Sequence, residues 1–221
     1  MEGLSNREIL FEDGFRSPVD EPDADYVTFL KRLGSTNGIF YMHGALHLFE
    51  RKGEVHKHCW KRSGITLTEH VTKSLGEDNY PLFVAEGESV RKLEHIQRSG
   101  YLWYCYQKLQ SIKSALVVCG SSLGESDDHI ANAIADSECP TVWLGVYGGI
   151  DGRDAARMEL VTAKLKTRRA KQTKPRSLEV KYYDVSTAPI WNSDQPGLLK
   201  KAPRSTIVAN LINTGSKLRR G

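Results

Sequence analysis

Cysteine is scarce in this chain, and what there is lies scattered. Cys59, Cys105, Cys119 and Cys139 are the four in 221 residues, and no two form a C-x-x-C pair. That pattern excludes a zinc ribbon and, for a cytosolic chain, argues against a disulfide framework. No apolar run approaches the roughly 20 residues needed to cross a bilayer. The amino-terminal stretch MEGLSNREILFEDG is acidic where a secretory signal would be basic and greasy. A cytoplasmic protein without a membrane partner is therefore expected. There is no G-x-G-x-x-G fingerprint and no P-loop. Repeats and low-complexity tracts are missing too, so a chain of this length is expected to bury a proper core.

Charge is unevenly placed although the net value is only +4. The first 25 residues hold eight acids and two bases, Arg7 and Arg16. KLKTRRAKQTKPR, residues 164–176, holds seven bases and no acid. Such a run can meet a polyanion. No aromatic side chain interleaves with the bases to stack on nucleobases, so it reads as a solvated helix end running into a loop, and nucleic acid is not the expected partner.

What is present is an alternation of strand and helix signals. GIFYMHGAL (38–46) reads as a strand, TLTEHVTKSLG (66–76) as a helix, and PLFVAEG (81–87) as a short buried strand. Residues 88–114 are periodic enough for helix throughout, with Gly100 marking a bend or break. ALVVCG (115–120), TVWLGVYG (141–148) and LEVKYYDV (178–185) read as strands, the last an edge. SDDHIANAIADS (126–137) and RDAARMELVTAKLKTRRAKQ read as the helices between them, the first opened by a serine cap. The expected architecture is α/β, a Rossmann-like three-layer sandwich with a mainly parallel sheet over residues 38–190. It is flanked by an acidic segment and linker (1–37) and a basic carboxy-terminal segment (191–221).

In an open parallel sheet, ligands sit outside the carboxyl ends of the strands. The residues at those ends are His43-Gly44, Glu86-Gly87, Gly120-Ser121-Ser122 and Tyr147-Gly148-Gly149. They include small residues for close approach, hydroxyls to donate, and a base and an acid to move protons. Each has a plainer alternative. His43 can be a core residue or a metal ligand as well as a base. Glu86 can cap the following helix as well as bind a ribose hydroxyl. The GSSLGESDDHI segment can be an ordinary capped loop as well as an anion cradle. His47 is assigned to core or rim packing, VHKHCW (55–60) to an exposed basic loop, and YLWYCYQKL (101–109) to the core.

The combination and order of YMHGALHLF, PLFVAEG, KLEHIQRSGYLWYCYQKL, VVCGSSLGESDDHI and GVYG resemble an uncharacterised bacterial family with a sirtuin-like domain, over about residues 10–165. That resemblance implies NAD as substrate or ligand, with His43 as general base at a ribose hydroxyl and Gly44 beside it. Gly120, Ser121 and Ser122 would line ribose and phosphate, and the Tyr147–Gly148 loop would lie near the adenosine end. It further implies NAD glycohydrolase chemistry in a bacterial stress or phage-defence setting. The four-cysteine zinc module of the deacylases is missing, so deacylation and zinc are not expected. The glycine-rich loop and the Asn-Asp strand that open such domains do not precede His43, and the first 42 residues show no buried apolar strand. The chain thus resembles the later two thirds of a longer protein. The alternative is a non-catalytic remnant or interaction module, and an oligomer or a partner chain supplying the missing strands is expected.

Overall fold

Lys52 and Gly53 set the topology of the first half of the chain. Both take positive φ, 53° and 79°, the pair of values that a two-residue type I′ turn requires. Strand β3 (Gly44–Arg51) therefore turns straight back into β4 (Glu54–His58), with Arg51 opposite Glu54 and Leu48 opposite Lys57. Two strands joined this way can only pair antiparallel. The computed structural model describes residues 11–31, 38–85, 87–147 and 153–187, which fall into two compact units. The first takes the described residues up to Gly87 together with 91–106, and the second takes 88–90 and those from Gln107 onward.

In the first unit, β1 (Phe15–Arg16), β2 (Tyr26–Phe29), β3, β4 and β5 (Pro81–Phe83) form one sheet in the order β1-β2-β4-β3-β5, every pair antiparallel. The expectation of a mainly parallel sheet is therefore corrected: the larger sheet is antiparallel, and the chain is α/β only in the broader sense of mixing the two elements. The expected linker over 1–37 is corrected too. Tyr26, Val27 and Thr28 are buried in β2 and Phe15 is buried in β1. The reason is compositional. YVTF is too short and too mixed to read as a buried strand alone, and its burial comes from partners distant in sequence. VHKHCW is likewise no exposed loop, because His56 is 3% exposed and its Nδ1 lies 3.0 Å from Thr28 Oγ1 across the β2–β4 pair.

Helices α1 (Trp60–Ser63) and α2 (Leu67–Gly76) follow β4. Helix α3 (Ser89–Arg98) and helix α4 (Gly100–Gln110) are two where residues 88–114 read as one, and they divide at Ser99 beside the predicted Gly100 break. The aromatic segment is core as expected, with Tyr101, Leu102 and Cys105 all at 2% exposure or less. The Tyr101 ring meets Phe15 and Phe29 at centroid distances of 5.3 and 4.7 Å. Its hydroxyl accepts a hydrogen bond from the Tyr41 amide at 3.1 Å, which satisfies the polar tip of a buried tyrosine.

The second unit carries the parallel arrangement. Strands β6 (Leu116–Val118), β7 (Thr141–Val146) and β8 (Glu179–Asp184) pair in that order, all parallel, with Val118 opposite Leu144 and Val146 opposite Asp184. Helix α5 (Asp128–Asp136) connects β6 to β7 and helix α6 (Arg153–Ala170) connects β7 to β8. Ile130, Ala131, Ala133, Ile134 and Ala135 are buried, as are Met158, Val161 and Leu165 one to two turns apart on α6. The predicted serine cap is not the one used: a 3-10 turn (Glu125–Asp127) precedes α5, and Asp127 stands at its N-cap without a side-chain cap bond. Among the described residues no helix is long and apolar enough to cross a membrane.

Candidate functional site

At the carboxyl ends of β6, β7 and β8 lies a cavity of about 490 Å³. Gly120, Ser121 and Ser122 line it from the end of β6, Gly145 and Tyr147 from β7, and Val185 and Ser186 from just past β8. Asp154, Arg157 and Met158 enter from the first two turns of α6. The volume is within the range of about 300–1,000 Å³ usual for small-molecule sites.

The local structure follows from a few residues. Gly120 takes φ of 72°, a left-handed turn that a side chain would strain, and so lets the chain leave β6 sharply. Ser121 Oγ accepts the Leu123 amide at 3.3 Å, which folds the loop back on itself. Gly145 leaves room that neighbours use: a Cβ there would lie 2.6 Å from Val185 Cγ2 and 2.9 Å from the Tyr183 hydroxyl. That hydroxyl donates to the Val118 carbonyl at 3.0 Å, tying β8 to β6 beneath the cavity. Burial, reinforced by a bond to Cys119, pushes the Tyr183 phenol up to about 12, so it stays a neutral donor. The Tyr182 hydroxyl is 2.6 Å from Thr162 Oγ1 and donates to Met158 O at 3.4 Å, which seats the start of α6 on the sheet.

Chemically the cavity offers three things. Arg157 is an exposed guanidinium close to the amino-terminal end of an 18-residue helix, where the backbone already carries partial positive charge. Asp154 supplies a carboxylate, and Ser121, Ser122 and Tyr147 supply hydroxyls. Ser186 Oγ donates to Asp184 Oδ1 at 2.7 Å and so presents its remaining lone pairs as acceptors. Met158, 3% exposed, and Val185 give an apolar floor.

Of the residues expected from sequence, Gly120, Ser121, Ser122 and Tyr147 share this cavity. Glu86 and Gly148 lie outside the described residues. His43 and Gly44 belong to the first unit, and the expected placement of His43 is corrected. It does not end a strand; it occupies a turn, and the strand begins after it at Gly44. Its carbonyl accepts the Val84 amide at 2.8 Å. Gly44 is needed for a different reason than ligand approach. At φ of 73°, a Cβ would overlap the Leu82 carbonyl oxygen of β5. His47, half-buried, packs edge-on to Tyr41 at 5.1 Å, and burial lowers its pKa.

Sequence reasoning missed Asp154, Arg157 and Ser186. The signal was present in RDAARMEL, which starts a helix directly after a strand-end loop. The rule that ligands meet helix amino-termini at strand ends applied there as much as to GSSLG.

No curated protein and no solved structure matches this chain. A family model described as a domain of unknown function, DUF4917, matches residues 1–191. That match covers most of the 221 residues, and the chain belongs to the DUF4917 family.

Proposed function

We propose that the second unit binds a nucleotide, NAD or its ADP-ribose portion in the first instance, in the cavity at the strand ends. The observation that supports this reading is the grouping of Gly120, Ser121, Ser122, Tyr147 and Arg157 around one cavity at the carboxyl ends of three parallel strands. Arg157 and the start of α6 suit a phosphate, Asp154 and the serines suit ribose hydroxyls, and Tyr147 offers a ring to stack on a base. These assignments follow from charge and donor type at each wall.

Cleavage of NAD, with His43 as the base, is a separate part of the proposal, carried by the resemblance of the His-Gly and Gly-Ser-Ser-Leu segments and not by the cavity, whose lining does not include His43. A histidine suits proton transfer at neutral pH. The proposal extends to a partner or second copy at β6, which among the described residues has one strand neighbour and exposes Val117 to 59%.

Thermal unfolding with NAD or ADP-ribose, and nicotinamide release followed in parallel, tests both parts. A rise in the unfolding midpoint with either nucleotide is expected, and release by the wild type that is lost in His43→Ala. A midpoint unmoved by millimolar nucleotide sinks the binding part. Binding with no release, or equal release from the variant, leaves a binding module and removes the catalytic part.

A further inference from the structure

A second constellation lies within the first unit and is independent of the cavity. Ser63, the last residue of α1, places its Oγ 2.5 Å from His70 Nε2. On the other side of the same ring, His70 Nδ1 faces Asp25 Oδ2 at 3.8 Å. Hydroxyl, imidazole and carboxylate thus stand in series, each from a different segment.

Each member is held. A capping box opens α2: Thr66 Oγ1 accepts the Glu69 amide at 3.3 Å, and Glu69 Oε2 accepts the Thr66 amide at 2.7 Å. That fixes the first turn, and His70 with it. The ring of His58 stacks on the ring of His70 at 4.9 Å and 23°, so the imidazole cannot turn freely. Arg62, the neighbour of Ser63, reaches the loop that carries Asp25. Its guanidinium donates to Pro22 O at 3.0 Å, Ala24 O at 3.2 Å and Ser17 Oγ at 2.5 Å. The Cys59 amide donates to Asp25 O at 2.7 Å. The helix of the hydroxyl and the loop of the carboxylate are therefore fixed to each other by four hydrogen bonds, the kind of supporting shell that preorganised sites need.

Access is arranged as chemistry would require. His70 is 1% exposed, whereas Ser63 is half-buried and Gly64 after it is exposed. Gly64 takes φ of 72°, and nothing lies within 4 Å of where its Cβ would stand. A latch between α1 and α2 would need Ser63 and His70 alone; the carboxylate behind the ring is what a nucleophile's base requires.

We propose that Ser63, His70 and Asp25 form an acyl-transfer site for small carboxylic esters. Ser63 Oγ attacks the carbonyl carbon while its proton passes to His70 Nε2, and the carbonyl π electrons move to the oxygen. The tetrahedral adduct collapses, the ester C–O bond breaks, and the leaving alkoxide takes the proton from Nε2. Water then repeats the sequence on the acyl-serine, releasing the acid and restoring the hydroxyl. Asp25 is a positioning residue: at 3.8 Å, beyond hydrogen-bond reach, its charge faces Nδ1 and stabilises the imidazolium that forms. Lys73 Nζ lies 3.9 Å from the same carboxylate oxygen.

The test is labelling of the full chain with a fluorophosphonate probe, the modified residue being located by peptide mass spectrometry, alongside hydrolysis of p-nitrophenyl acetate. The label is expected on Ser63, with Ser63→Ala losing both label and esterase activity. Asp25→Asn is expected to slow labelling about tenfold and Asp25→Glu to recover part of the rate, which a purely structural carboxylate would not show. Replacement of the buried His70 can unfold the unit, so the decision rests on Ser63→Ala, checked for an intact unfolding transition. A folded wild type with no label at Ser63, or a folded Ser63→Ala that hydrolyses the ester as fast, overturns the proposal.

Discussion

The Arg169 guanidinium is buried at the carboxyl end of α5, its Nε 2.5 Å from the carbonyl oxygen of Ala135. Its terminal nitrogens donate to Ile134 O at 3.2 Å and Cys139 O at 3.3 Å. The guanidinium adds to donors that the helix end already has, since Ser137 Oγ donates to Ile134 O at 2.7 Å and Gln172 Nε2 to Ala135 O at 2.9 Å. Around it, Arg168 forms a bidentate pair with Asp136 at 2.8 and 2.6 Å, Lys164 pairs with Asp128, and Arg176 reaches Glu138 at 2.5 Å. Four of the seven bases of the run thus engage α5 and its flank, Arg169 alone being buried, while Lys166, Lys171 and Lys174 are exposed. Arg169→Ala is expected to destabilise the protein by about 1–3 kcal/mol, since the Cys139 carbonyl loses its Arg169 donors while Ile134 O and Ala135 O keep those from Ser137 and Gln172. Arg169→Lys should recover less than half of that, because an ammonium cannot reach three carbonyls in a plane. Urea unfolding checks both.

Gly44→Ala is expected to destabilise the first unit by roughly 2–4 kcal/mol. The new methyl group meets backbone, the Leu82 carbonyl, and the residue sits at positive φ, so neither rotamer change nor side-chain movement relieves it. Gly64→Ala is the control. It carries the same positive φ with open space around it, so its cost should be about 1 kcal/mol. Equal unfolding midpoints for the two variants would contradict the account of the β3–β5 approach.

Acid should weaken the first unit. Burial, with a smaller contribution from His70, pushes His58 down to about 4, and burial also lowers His47 and His56. In the unfolded chain these groups titrate near 6.5. Between pH 6.5 and 4 the unfolded chain therefore binds protons that the folded chain refuses, and stability falls as pH drops through that window. Because His58 is only half-buried, solvent screening limits its share to about 1–2 kcal/mol. His58→Phe keeps a ring against Phe49 and His70 and removes an Nδ1 that is buried without a hydrogen-bond partner. It should match the wild type at pH 7.5 and exceed it at pH 5. Parallel stability–pH curves for the two proteins would contradict this.

Local signals were legible and long-range ones were not. Helix α2 was readable because its apolar positions recur at helical spacing and Gly76 closes it, and the division of α3 from α4 because Gly100 interrupts the pattern. The three parallel strands were readable because β6 and β7 are apolar and each leads to a loop and a helix. The antiparallel sheet was not, since β1 and β2 gain their burial from β4 and α4. One local signal was simply passed over: ERKGEV holds a hairpin turn at Lys52-Gly53, and reading it would have made β3 and β4 neighbours and moved His43 off the strand end. The site divided the same way. Gly120, Ser121, Ser122 and Tyr147 were found from strand ends, while Arg157 and Ser186 reach the cavity only through the packing of α6 and the turn after β8.

Calorimetric titration of the full chain with ADP-ribose, wild type against Arg157→Ala, tests nucleotide binding at the strand ends most directly. The account predicts one saturable site in the wild type and an affinity at least about tenfold weaker in the variant, the size of one lost charge-assisted contact to phosphate. No heat of binding in the wild type, or the same affinity in both proteins, would contradict it.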